Sequence, residues 1–284
     1  MAGPTTAPKP PGPRPPGPPP TNGGMKTATI PTQRAGISRG LQVAAHKIVV
    51  YGPGGCGKSS LAASLARVGI EPLFLDLESG TKFLDVARME PQSWDELRAA
   101  LHDQDLLRSS FGAVVIDSGT KAEEMAMEWM LANVKHEKGH TCQSIEDYGY
   151  GKGYVHLYET FMLMLGDLDA VARSGRHIVM ICHDCTETVP NPASDDYIRY
   201  APRLQSPASG KFSIRNRVRE WTDHTLAIMF DVAIANDGKA KGTGTRAIYC
   251  QERPTHVAKS RTLSDTIIYT KDSPTLWQAL FNKE

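Results

Sequence analysis

The segment Gly52-Pro53-Gly54-Gly55-Cys56-Gly57-Lys58-Ser59 has the spacing G-x-x-x-x-G-K-[ST], and Ser60 follows it. Its chemistry is phosphate binding. Successive backbone N–H groups must curl around phosphate oxygens, and glycines admit that approach because no Cβ stands in the way. Lys58 then supplies a point charge for the β- and γ-phosphates. The Ser59 hydroxyl becomes a magnesium ligand, and the N-terminus of the following helix favours the anion. Cys56 reads as a small filler rather than a nucleophile. No Asn-Lys-x-Asp base-reading motif occurs downstream, so the expected occupant of Gly52 to Ser60 is ATP with Mg2+ rather than GTP.

Hydrolysis needs more than a cradle: a metal partner, a group that activates water, and positive charge as the γ-phosphoryl leaves. Ala113-Val114-Val115-Ile116-Asp117 is an apolar run ending in a carboxylate, which would set Asp117 beside the magnesium opposite Ser59. The plain alternative is an Asp capping the next helix. Ser118 follows where a second acid would suit catalysis, so the base must come from elsewhere. Leu73-Phe74-Leu75-Asp76-Leu77-Glu78 ends in two acids, and period-two alternation puts both on one side of a strand end, with Glu78 the candidate base. A solvated acidic pair is the alternative.

The elements that must position these groups follow from periodicity. Lys47 to Tyr51, Pro72 to Leu77, Ala113 to Ile116 and His177 to Cys182 read as buried strands. Ser59 to Val68, Ser93 to Leu101, Lys121 to about Val134 and Tyr154 to Ala172 read as helices. The last of these helices carries Leu157, Phe161, Met164, Leu165, Leu168 and Val171 on one stripe, a core-facing pattern. Short apolar strands alternating with helices predict an α/β fold with a mostly parallel central sheet covered on both faces. Thr225 to Ala235 and Thr245 to Gln251 flank Asn236-Asp237-Gly238, which predicts a C-terminal antiparallel hairpin.

At 284 residues, 40% hydrophobic and 22% charged, the chain has material for one sizeable core. A net charge of +1 means that any nucleic-acid surface must be local. Five cysteines form an odd, unframed set suited to a reducing cytoplasm. No apolar run reaches membrane-spanning length. Residues 1–24 hold half of the twenty prolines and read as a disordered, polyproline-leaning tail. Residues 25–44 read as a linker or N-terminal extension, and 45–284 as the folded domain.

On GPGGCGKSS at 52–60, FLDLESGT at 74–81, VVIDSGT at 114–120, YGYGKGY at 148–154, IVMICHD at 178–184 and AKSR at 258–261, the chain resembles the RecA-like ATPases. The likeness is strongest to short phage members described as AAA-type or RecA-like ATP-binding and annealing proteins. It spans about residues 45–270 and implies a RecA-like P-loop core. It assigns the catalytic base to Glu78 and γ-phosphate sensing to His183, where RecA itself carries an amide. Lys259 and Arg261 are similar to the K-x-R signature of DnaB-type helicases, whose cations reach ATP held by a neighbouring subunit. The resemblance thus implies a homo-oligomer, ring or filament, with ATP at subunit interfaces. It also implies recombination, annealing or replication as the setting, with single-stranded DNA and a single-strand-binding or replication protein as partners.

Between Arg199 and Arg219 stand six cations, Arg199, Arg203, Lys211, Arg215, Arg217 and Arg219, and no acid. Tyr197, Tyr200 and Phe212 accompany them, and rings interleaved with cations suit single-stranded nucleic acid. The loop carrying Tyr148, Tyr150, Lys152 and Tyr154 is the other candidate DNA-facing segment; a solvated or subunit-facing basic loop is the alternative. Cys182-His183-Asp184-Cys185 has the spacing of half a zinc site, which His140 and Cys142 could in principle complete. A matching second pair is missing, which favours a strand-end sensor with two buried or idle thiols. Two other functions stay open: a small-molecule P-loop kinase using 199–219 as a lid, and a nucleotide-gated loader or switch with little turnover.

Overall fold

The computed structural model describes residues 3, 39–40, 44–103, 105, 110–234, 240–271 and 273–281. Residues 43–284 make one compact unit. The proline-rich tail and most of the expected linker lie outside the described residues.

In chain order the unit of residues 43–284 runs β1 (Lys47–Tyr51), α1 (Lys58–Ala63), β2 (Pro72–Asp76), β3 (Ala87–Met89), α2 (Trp94–Leu101), β4 (Ala113–Asp117), α3 (Gly119–Asn133), α4 (Lys152–Arg173) and β5 (His177–Cys182). It continues with β6 (Asp184–Val189), β7 (Tyr197–Pro202), α5 (Ile214–Trp221), β8 (His224–Ile234), β9 (Ala240–Tyr249), β10 (Lys259–Ser260), β11 (Ile267–Tyr269) and α6 (Thr275–Phe281). The expected helix over Ser59–Val68 is α-helical only to Ala63 and then tightens into a 3-10 turn, Ser64–Val68, closed by Gly69 at positive φ. Ser93 caps α2 by accepting from the Glu96 N–H, and Ser118 caps α3 by accepting from the Lys121 N–H.

Nine strands form the main sheet, in the order β11-β9-β8-β1-β5-β4-β2-β3, with β10 paired to β8. β8, β1, β5, β4, β2 and β3 run parallel, and β8–β9–β11 is antiparallel. This is the α/β class with a C-terminal hairpin that the patterning predicts. β5 lies between the strand that feeds the phosphate loop and the strand that ends in Asp117. The carboxyl ends of β1, β5, β4 and β2 are therefore neighbours, the place where open parallel sheets bind ligands.

Alternate strand residues feed two cores. Val49, Tyr51, Val114, Ile116, Ile178 and Met180 pack under α2, α3 and α4. Ile48, Val50, Val115, Val179 and Ile181 pack under α1 and α6. The predicted α4 stripe is wholly buried. β6 and β7 form a separate two-stranded sheet beyond β5 that periodicity did not reveal, because their burial alternates weakly. Among the described residues no helix is long and apolar enough to cross a membrane, and all five cysteines are free thiols.

Candidate nucleotide site

The loop leaving β1 is shaped by crowding. A Cβ on Gly52 would sit 2.0 Å from the Ile228 carbonyl oxygen of β8, so only glycine lets the strand pass. Gly57 holds φ at +94°, and a Cβ there would meet the Arg246 guanidinium at 2.8 Å. Lys58 Nζ arches back and donates to the carbonyls of Gly52 at 2.7 Å and Pro53 at 2.9 Å, which pins it over the loop. Cys56 is fully buried and burial pushes its thiol up, consistent with a filler.

Ser59 Oγ donates to the Asp117 carboxylate at 2.6 Å. These two hard oxygen donors meet at the head of α1, and they fit a magnesium ion. Burial raises the Asp117 pKa, and the nearby Asp76 and Glu78 charges push it the same way. A divalent cation would neutralise that concentration of carboxylates. The helix cap after β4 is Ser118, so Asp117 is not spent on capping.

Asp76 and Glu78 part company. Asp76 is buried and accepts from the N–H groups of Glu78, Gly80 and Thr81 and from the Thr81 hydroxyl. Burial raises its pKa, but the Thr81 and Gly80 donors outweigh that and hold it below the ordinary carboxylate range. Asp76 is the staple of its turn and has no spare lone pair for water. Glu78 instead faces the site: the Ser118 hydroxyl donates to its Oε1 at 2.5 Å, and His183 Nε2 lies 3.1 Å from both carboxylate oxygens. His183 is itself fixed by its backbone, its N–H donating to Thr120 Oγ1 and its carbonyl accepting from the Arg203 N–H.

Lys58, Ser59, Ser60, Gly54, Gly55, Gly57, Glu78, Asp117 and His183 all line one cavity of about 410 Å3, so the structure brings together the site residues read from strand ends and loop. It adds four that sequence reasoning missed. Arg246 of β9 donates to the Cys56 carbonyl at 3.0 Å and lies over the Tyr269 ring at 5.0 Å. Phe83 and Lys271 line the same cavity, and Phe83 is 99% exposed at its mouth. Ser118 had a signal, its place beside Asp117. Arg246, Phe83 and Lys271 had none, since they reach the loop only through pairing and folding.

Lys259 and Arg261 do not join this site within one subunit. β10 pairs with β8 at His224 and Thr225, level with the start of β1, at the end of the sheet opposite the phosphate loop. Lys259 Nζ donates to the carbonyls of Arg219 and Thr222, both at 2.6 Å, an internal tie. Arg261 is mostly exposed and pairs with Asp223 at 3.1 Å.

The run of six cations is offset in space by acids from elsewhere in the chain. Arg199 pairs with Glu187 and Glu252, Arg215 with Glu187, Arg219 with Glu252, and Arg217 loosely with Glu220 at 3.9 Å. Arg199 and Arg215 are thereby largely buried, and the open positive face read from the sequence shrinks to Arg203, Lys211 and part of Arg217. Tyr150 is fully exposed at φ +49° on its loop, as a contact residue would be. Among the described residues no group of three His, Cys, Asp or Glu is placed to hold a metal. Cys182 is buried in the core and its thiol is pushed strongly up by burial, while Cys142 packs in the core away from solvent.

Nothing among curated proteins matches this sequence. The fold aligns with the KaiC-like protein PH0186 of the hyperthermophilic archaeon Pyrococcus horikoshii OT3 at 11% identity, over 80% of this chain and 86% of that one, with a TM-score of 0.43. Residues 44–262, which contain the phosphate loop, Glu78, Asp117 and His183, match the AAA domain family (AAA_24), and the chain belongs to that family of P-loop ATPases.

Proposed function

We propose that the protein hydrolyses ATP and couples hydrolysis to single-stranded DNA, in a recombination, annealing or replication setting of the phage type. The observation that carries the hydrolytic part is Glu78, held by Ser118 and His183 across one cavity from Lys58 and the Ser59–Asp117 pair. Lys58 and the loop N–H groups bind the β- and γ-phosphates. Ser59 and Asp117 would hold magnesium, which supplies charge neutralisation on the phosphate oxygens when bound. Glu78 takes the proton of the attacking water. His183 sits where it can exchange Glu78 for a γ-phosphate oxygen as partner, so its position reports phosphate occupancy to the Arg203 backbone.

Subunit assembly completes the cation set. Arg261, mostly exposed and remote from its own loop, would exchange its Asp223 partner for a neighbour's ATP, whereas Lys259 is committed to its own subunit. Strand contact falls to Tyr150, Arg203, Lys211 and Arg217. The kinase reading loses its lid, because Arg199, Arg215 and Arg219 are engaged by Glu187 and Glu252. The test is ATPase activity with and without single-stranded DNA, with sizing in a nonhydrolysable nucleotide. Stimulation by the strand and a nucleotide-dependent oligomer are expected. Slow turnover indifferent to DNA, with nucleotide-dependent capture of a protein partner, would favour the gated switch.

A further inference from the structure

A second cavity, of about 440 Å3, opens against the other side of the phosphate loop and is lined by Pro53, Asp184, Tyr200, Phe230, Tyr249 and His256. None of its side chains serves the ATP site. Its walls are built rather than incidental. The Tyr200 N–H donates to the Thr255 carbonyl at 2.9 Å, and the Val257 N–H donates to the Tyr200 carbonyl at 2.9 Å. The buried hydroxyl of Tyr51, last residue of β1, donates to the carbonyls of Val257 at 2.6 Å and Tyr200 at 3.1 Å. The wall is thus tied to the strand that feeds the phosphate loop.

The lining is aromatic and selectively polar. Tyr249 lies against the His256 ring, centroids 4.2 Å apart, and under the Arg253 guanidinium at 4.9 Å. Tyr200 and Phe230 are 45% and 44% exposed, and neither ring stacks on another among the described residues. His256 is only 3% exposed; its Nδ1 engages the Thr255 hydroxyl at 3.0 Å, while its Nε2 has no hydrogen-bond partner among the described residues. That nitrogen is closed to solvent, so the His256 ring serves the cavity as part of its wall. Burial, assisted by the Arg253 charge, lowers the His256 pKa to about 4, so the ring is neutral at neutral pH. Asp184 adds a carboxylate acceptor.

We propose that this cavity is a nucleobase site, distinct from the phosphate loop, which stacks a base on Tyr200 and Phe230 and pairs its polar edge with Asp184 and the Thr255 hydroxyl. Free faces of planar rings suit any base, and the adjoining donor and acceptor groups suit ring nitrogens and amino groups. The base belongs either to a free nucleoside or nucleotide or to a single strand; the strand-borne form rests on the single-strand reading above, and the free form does not. An occupant would touch Pro53, whose carbonyl holds Lys58 at 2.9 Å, which links this cavity to the ATP site.

The experiment titrates the full chain, its phosphate loop saturated with magnesium and a nonhydrolysable ATP analogue, with adenosine, thymidine and a short oligothymidylate by calorimetry. Wild type and Tyr200→Ala/Phe230→Ala are compared. Loss of one or two stacked contacts should weaken binding about tenfold or more, within the range known for base–aromatic stacking, while affinity for the ATP analogue stays unchanged. Saturable nucleoside binding that depends on the rings identifies a free ligand; ring-dependent binding of the oligonucleotide alone identifies a strand. Should the double variant misfold, Tyr200→Leu and Phe230→Leu keep the bulk and remove the ring faces. A folded variant that binds every probe as wild type does, or a wild type that binds none, overturns the site. A Lys211→Ala/Arg217→Ala variant with a reduced salt slope beside ring variants of full affinity would leave the strand reading standing and remove this cavity from it.

Discussion

The His183 imidazole stands 3.1 Å from both carboxylate oxygens of Glu78, and the Ser118 hydroxyl closes on the same carboxylate from β4. Three neighbouring strand ends thus meet on one acid. Glu78→Gln keeps the shape but cannot take a proton. It should retain ATP affinity and lose about 10²- to 10⁴-fold in turnover, the range for a positioned general base. Single-turnover hydrolysis beside equilibrium binding of a fluorescent ATP analogue checks this. A variant of undiminished turnover removes Glu78 from the chemistry.

Asp117 and Ser59 share a hydrogen bond of 2.6 Å, and a metal between them would exchange it for two coordinate bonds. Magnesium should tighten ATP binding in wild type and do so at least tenfold less in Asp117→Asn, a loss consistent with removal of one charged ligand. Titrations in magnesium and in chelator measure the difference. Equal magnesium dependence in the two proteins would move the metal elsewhere.

Lys259 and Arg261 are two residues apart and should behave differently. Lys259→Ala removes the amine from the Thr222 carbonyl and leaves the Arg219 carbonyl only the Thr222 hydroxyl at 3.3 Å, and it should cost about 1–3 kcal/mol, read by urea denaturation. Arg261→Ala should fold as wild type, lose ATPase activity, and regain it when mixed with Lys58→Ala protein, because each then supplies what the other lacks. Absence of rescue at every mixing ratio argues against action across subunits.

Two buried histidines, His224 and His256, and the half-buried His177 weaken the fold in acid, while Glu123, raised to about 7 by burial, acts the other way. Burial lowers His177, His224 and His256 to about 4 from an ordinary 6.5, with His46 assisting at the first two and Arg253 at the third. Between pH 6.5 and 4 the unfolded chain binds more protons than the native one. The stability these three rings contribute is therefore full above about pH 6.5 and falls as pH drops towards 4, and three such rings outnumber the one opposing carboxyl of Glu123. Denaturation midpoints at pH 7.5, 6 and 5 should decline, and His224→Gln should flatten part of the decline. A pH-independent midpoint over that window would show that these rings are not the cause.

Local information carried the parts of this protein that depend on neighbours in sequence. Phosphate binding was legible because Gly52 to Ser59 must act as one continuous backbone curve, and strands were legible because burial on both faces demands unbroken apolar runs. Asp117 and Glu78 were legible as strand ends for the same reason. What lay outside that reach was pairing. Asp76 and Glu78 look alike on paper, and only the turn that brings Gly80 and Thr81 onto Asp76 makes one a staple and leaves the other to Ser118 and His183. The six cations from Arg199 to Arg219 look like an open basic face until Glu187 on β6 and Glu252 in the loop after β9 arrive beside them. Arg246 and Lys271 reach the phosphate loop only because β9 returns along β8 and β11 along β9. Charge and hydrogen bonding act through distance in space, and chain order alone does not supply that distance.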